Sequence, residues 1–154
     1  MINDVWGLTR GGMADVVARH GAAVCIMHNS AERISGDVFP PVESFLKNQA
    51  EVAVRAGISA DKICLDGGVG FAKSAEQSLR LVRYYDRLGS LGYPLLLGCS
   101  RKSLFGGSAQ DRLPKTLAAT RSAAERGILF VRVHDVKENL QEINKVYENL
   151  YRRP

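Results

Sequence analysis

The chain has 154 residues, 45% of them hydrophobic and 24% charged, with 21 Lys and Arg against 16 Asp and Glu for a net charge of +5. That length bounds one domain able to bury a core, and no apolar run approaches the ~20 residues that a membrane-spanning helix needs. The basic residues are scattered and the few aromatics do not alternate with them, so the excess charge reads as a mildly basic surface rather than a single-strand nucleic-acid platform.

Strand-like and helix-like segments alternate along the chain, which predicts parallel β/α units. Residues 2–5 read as a short strand. A helix follows over 11–20, with Met13, Val16 and Val17 on one side and Gly21 as its stop. The unbroken apolar run over 23–27 predicts a strand covered on both faces. The polar loop over 28–40 is long enough to be functional. A helix is expected over 41–56, with Val42, Phe45, Leu46, Ala50 and Ala53 as its stripe and Pro in the first turn.

A third strand over 62–65 ends at Asp66. Ser74-Ala75-Glu76-Gln77 matches a capping box and opens a helix whose inner face is expected to be Leu79, Val82, Tyr85 and Leu88. Residues 94–98 predict a fourth strand, 113–126 a helix, 129–133 a fifth strand and 136–151 the last helix. Val136, Leu140, Ile143, Tyr147 and Leu150 form that helix's stripe, and Arg152-Arg153 suit the negative end of its dipole. The expected architecture is α/β with parallel (β/α) units. Five such units are present, whereas a closed eightfold barrel typically takes ~250 residues.

Cys25, Cys64 and Cys99 lie in apolar runs without metal-ligand spacing, which predicts buried free thiols in a reducing compartment. Met1 leads straight into Ile2-Asn3-Asp4 without the basic and apolar regions of a secretory leader. A cytoplasmic protein without membrane association is therefore expected.

Ligands of parallel α/β folds bind at the C-terminal ends of the strands. Polar residues stand at those ends here. Asn3 offers a donor and an acceptor to a heteroaromatic edge, while Asp4 suits a turn cap. Asp66 opens Asp66-Gly67-Gly68-Val69-Gly70-Phe71-Ala72-Lys73, whose glycine spacing is not that of a dinucleotide fingerprint. By itself it also reads as an ordinary βα loop. Ser100-Arg101-Lys102 follows the fourth strand. Arg132 and His134 alternate along the fifth and share a face, where both can donate to a diphosphate. His28 and His134 equally fit satisfied structural histidines, and Met27 fits a core residue.

Taken together, Ile2-Asn3-Asp4-Val5, Met27-His28, Leu65-Asp66 with its Gly-Phe loop, Gly98-Cys99-Ser100-Arg101-Lys102, Thr116-Leu117-Ala118-Ala119 and Val131-Arg132-Val133-His134-Asp135-Val136 resemble the ordered motifs of the dihydropteroate synthase family. The resemblance covers essentially the whole chain, residues 1–154, as one domain. It corresponds to the fourth strand through the last helix of that family's (β/α)8 barrel, a partial TIM barrel. It implies condensation of 4-aminobenzoate with a pterin that carries a diphosphate on its hydroxymethyl group. By the same resemblance Asn3, Met27, Asp66, Gly98 and Lys102 would bind the pterin. Phe71, Ser100 and Lys102 would bind aminobenzoate, and Arg132 and His134 the diphosphate. Lys102, Arg132 and His134 would be the catalytic group.

The resemblance also implies Mg2+, whose protein ligand belongs to the three preceding units and so lies outside the matched motifs. A homodimer, or completion by those strands, is implied as well. The family's Asp-Pro-Gly-Phe-Gly-Phe-Gly-Lys loop here reads Asp66-Gly67-Gly68-Val69-Gly70-Phe71-Ala72-Lys73, which keeps Asp66, Phe71 and Lys73, and loss of the proline is expected to loosen the turn. A methyl-transferring pterin barrel shares the Asn and Asp contacts but needs no diphosphate grip. A non-catalytic partial barrel acting as a binding or assembly partner is the third reading. The first and fifth strands are expected to present open edges, a liability for parallel apolar strands.

Overall fold

In the computed structural model, which describes residues 1–108 and 111–151, the strands are β1 (Ile2–Asp4), β2 (Val24–Met27), β3 (Ile63–Asp66), β4 (Leu96–Leu97) and β5 (Phe130–Val131). The helices are α1 (Met13–Arg19), α2 (Phe39–Arg55), α3 (Ala75–Arg83), α4 (Leu113–Glu125) and α5 (Val136–Tyr151). All pairings are parallel. β1 pairs with β2, β2 with β3 and β4 with β5, and a Leu65–Leu95 bridge joins the two groups. The strands therefore stand side by side in chain order, as a section of a barrel wall. Among the described residues β1 and β5 each have one strand partner, and Ile2 and Phe130 are exposed.

Helix–strand packing supplies the core. β2 is buried along its whole length, as an apolar run covered on both faces should be. On one side of the sheet, Val24 and Ile26 meet Val42, Leu46, Ala50 and Ala53 of α2. On the other, Cys25 and Cys64 lie in register beside Leu96. All three cysteines are buried and unbridged.

Some expected faces are different. On α1 only Val17 is buried, and Val16 is exposed. On α3 the inward residues are Ser78 and Leu81, and Leu79 is exposed. The helix stops at Arg83 and passes into a 3₁₀ turn over Tyr85–Leu91, where Tyr85 and Leu88 are buried. That tighter winding breaks the 3.6-residue period on which the stripe rested.

On α5 the buried residues are Asn139 and Val146, whereas Leu140 is 52% exposed and Val136, Tyr147 and Leu150 are exposed too. A polar seam to α4 turns the helix. Thr120 donates to Asn139 Oδ1 at 2.6 Å, and Arg121 pairs with Glu142. Arg152 and Arg153, expected to face the end of α5, lie outside the described residues.

Candidate active site at the strand ends

Asp4 closes the turn after β1. Its Oδ1 accepts from Trp6 N at 3.1 Å and its Oδ2 from Leu8 N at 2.7 Å, leaving Asn3 exposed at the rim. Gly7 has φ +59°, and a Cβ there would stand 2.6 Å from Met27 O. This turn is thus seated directly on the tip of β2.

Asp66, at the end of β3, is buried but held. Its Oδ1 accepts from Gly68 N at 2.8 Å and lies 3.2 Å from the Tyr85 hydroxyl. Burial pushes its carboxyl above the usual carboxylate range. The Gly68 N–H and the Arg132 and Lys102 charges pull it back down. Tyr85, also fully buried, accepts from Gly67 N at 2.7 Å and donates to Leu96 O at 2.6 Å. A buried tyrosine needs such partners, and burial keeps its hydroxyl protonated.

In sequence Tyr85 fits an apolar stripe, with no signal of this role, and Gly67 in place of proline predicts a loose turn. In the structure that turn is anchored through the Gly67 N–H, a donor that proline lacks. Gly68 is required by geometry, with φ +66° and an ideal Cβ only 1.9 Å from His28 O.

The loop carries on through Lys73, which folds back to His28, and Phe71, which faces Lys102. The Lys102 ammonium contacts Val69 O and sits 4.7 Å from the Phe71 ring centroid. Burial lowers its pKa, while the Asp66 charge acts the other way. A cavity of about 330 Å³ opens here, lined by Phe71, Lys73, Ser78, Lys102, Ser103 and Leu104. Ser103 and Ser78 were not singled out from sequence. Ser78 stands among the polar residues Glu76, Gln77 and Arg80 with nothing to mark it, yet its hydroxyl accepts from Gly70 N at 3.1 Å.

Ser100 is buried beneath His134. Its Oγ accepts from His134 N at 3.2 Å and lies 3.0 Å from His134 Nδ1. Arg101, at φ 55°, pairs with Asp135, its Nε 3.0 Å from Oδ2. The β4 and β5 tips are therefore latched together twice. The Arg132 guanidinium reaches Asn3 Oδ1 and lies 3.5 Å from Asp66 Oδ2. Gly98 makes room for it, since a Cβ there would stand 2.5 Å from Arg132 Nη2.

Asn3, Asp66, Gly98 and Arg132 thus meet at one point of the rim, with Lys102 and Phe71 beside them and Ser100 under His134. Met27 is buried at the tip of β2. Among the described residues no three His, Cys, Asp or Glu side chains converge on one point. No described helix is long and apolar enough to cross a membrane.

Residues 1–134 match the family model described as pterin binding enzyme. A dihydropteroate synthase of Streptococcus pyogenes serotype M6 is 41% identical over 97% of this chain and 59% of its own length. The solved dihydropteroate synthase of Clostridium difficile, in the presence of pteroic acid, superposes with a TM-score of 0.92 at 41% identity, over 99% of this chain and 60% of that one. That of Xanthomonas albilineans, with 4-aminobenzoic acid, does so with a TM-score of 0.93 at 34% identity, over 100% and 58%. The chain spans 50–59% of the length of the curated relatives it matches.

Proposed function

The chain belongs to the pterin-binding enzyme family, and from that premise we propose that it is a dihydropteroate synthase-type transferase domain, the portion from the fourth strand to the last helix of a (β/α)8 barrel. Its reaction joins 4-aminobenzoate to 6-hydroxymethyl-7,8-dihydropterin diphosphate, giving 7,8-dihydropteroate and diphosphate. One observation carries this reading. A buried carboxylate (Asp66), an exposed amide (Asn3) and a guanidinium (Arg132) share one spot, 3.5 Å separating the last from Asp66 Oδ2.

In this scheme Asn3 and Asp66 hold the hydrogen-bonding edge of the pterin, with Met27, Gly98 and Lys102 around the ring. The 4-aminobenzoate enters the cavity between Phe71 and Lys102. Ser103 lines that cavity and offers its hydroxyl, whereas Ser100 acts by orienting His134. The arylamine lone pair attacks the exocyclic methylene. The carbon–oxygen bond breaks, its electrons go to the leaving diphosphate, and the proton lost by the amine is taken up by the released diphosphate or by solvent water. Arg132 and His134 meet the charge that grows on diphosphate, so they favour the transition state over the ground state. Arg132 must first release Asn3 and Asp66, which ties ring binding to diphosphate binding.

Magnesium remains an expectation of the resemblance. A hard cation suits diphosphate oxygens, and no step here runs through it. A cytoplasmic location and a homodimer, or completion by further strands, belong to the same proposal. Calorimetry tests it. The chain should bind the pterin diphosphate in preference to the same pterin without diphosphate. Equal affinity would favour methyl transfer, and no binding a non-catalytic partial barrel.

A further inference from the structure

Lys73 closes the glycine loop and is buried there; the loop motif retains it, and the reaction scheme gives it no task. Its Nζ lies 2.9 Å from His28 Nδ1, 3.0 Å from Gly68 O and 2.9 Å from Phe71 O. As an ammonium, the form the folded chain keeps below about pH 7, Lys73 has three hydrogens in tetrahedral array, and here they meet three acceptors. One comes from the end of β2 and two from the loop itself. His28 is a neutral acceptor, because burial, aided by the Lys73 charge, pushes its pKa down to about 4.

We propose that Lys73 is a positioning residue. It clamps the loop over 68–71 to the tip of β2 and so sets Phe71 against Lys102 at the mouth of the cavity. The clamp deepens the proposed function and rests on it for the identity of the ligand.

The surroundings support a clamp rather than a ligand contact. Lys73 spends all its donors on protein atoms. Gly68 approaches His28 O so closely that the loop and β2 are already interlocked there. Ile34 N adds a bond to Ala72 O at 2.9 Å. Asp66 has a hold outside this loop, the Tyr85 hydroxyl 3.2 Å from its Oδ1. Loss of the clamp should therefore disturb Phe71 while sparing the pterin edge.

Lys73→Met in the 154-residue chain is the test. Hydrogen exchange over 68–72 should rise tenfold or more while the other strands keep their protection. The affinity for 4-aminobenzoate, measured with pterin and inorganic diphosphate present, should fall about tenfold. That for the pterin diphosphate should change less than twofold. Unchanged loop exchange, or equal loss of both ligands, would overturn the clamp.

Lys73→Gln is the second variant, because it keeps two N–H donors for the two carbonyls. It should restore part of the loop protection, and a Gln variant as unprotected as the Met variant overturns the proposal. If the unaltered chain binds neither ligand, the proposed function fails, and the exchange comparison still decides the clamp.

Discussion

Arg132, just beyond β5, donates through Nη1 to the side-chain oxygen of Asn3 in β1, 129 residues earlier in the chain. Strands stand about 4.8 Å apart, so the first and last of five strands in a flat sheet would be separated by roughly 19 Å, beyond the reach of one side chain. The contact therefore reports that the sheet curls as a barrel wall does. It also means that Arg132 rests on the two groups proposed to hold the pterin.

Replacing Arg132 with Ala removes the proposed grip on diphosphate and frees Asn3 and Asp66. Affinity for the pterin diphosphate should drop about 30-fold, the roughly 2 kcal/mol of a charge-assisted hydrogen bond. Affinity for a pterin without diphosphate should hold or improve. A parallel loss for both ligands, measured calorimetrically, would count against the diphosphate role.

Tyr85→Phe deletes one hydroxyl that serves Gly67 N and Leu96 O. Both groups are then left buried without that partner, so the chain should lose about 1–3 kcal/mol in denaturant unfolding. The loop after Asp66 should also exchange faster. Unchanged stability would mean that the anchor is slack.

Burial lowers the Lys73 pKa to about 7 from 10.5, against the pull of Asp66. Below about pH 7 folded and unfolded chains both hold the proton, and the buried charge costs stability in full. As pH rises above 7 the folded chain gives up the proton while the unfolded chain keeps it. This group's contribution to stability therefore rises with pH. Between pH 7 and 9 the unaltered chain should gain about 2 kcal/mol relative to Lys73→Met. Parallel stability–pH curves for the two proteins would refute this.

Gln77 works in two directions. Its Oε1 closes the capping box with Ser74 N at 2.9 Å, and its Nε2 donates to Ile34 O at 3.1 Å and Gly36 O at 3.0 Å. Gln77→Glu retains an acceptor for the cap but no donor for the loop. The circular dichroism of the helices should stay as it is, while exchange over residues 30–37 accelerates. A matching loss of helix signal would show that the cap, not the strap, had failed.

Local signals were legible where the physics is local. The capping box placed the start of α3, and the periodic pattern over 136–151 coincides with α5. Alternating units told the order of strands. The strand lengths were not legible: β4 and β5 each form only two residues of regular ladder, where the apolar runs suggest five. Nor was the burial of α5, whose apolar stripe faces outward once Asn139 and Glu142 engage α4. The sequence assigns no polar task to Ser78, Tyr85 or Lys73, for a common reason. A polar group's task depends on which backbone atoms arrive beside it.

From the order of its residues alone, this chain specified parallel β/α units and the polar residues that follow each strand, since caps, glycines and apolar periods act within a few residues of one another. Which of those residues touch was decided only by the curl of the sheet and the folding back of its loops. That curl brings Arg132 to Asn3, and the returning glycine loop brings Lys73 to His28. These meetings depend on packing between elements far apart in the chain, for which no short stretch of sequence carries a signal.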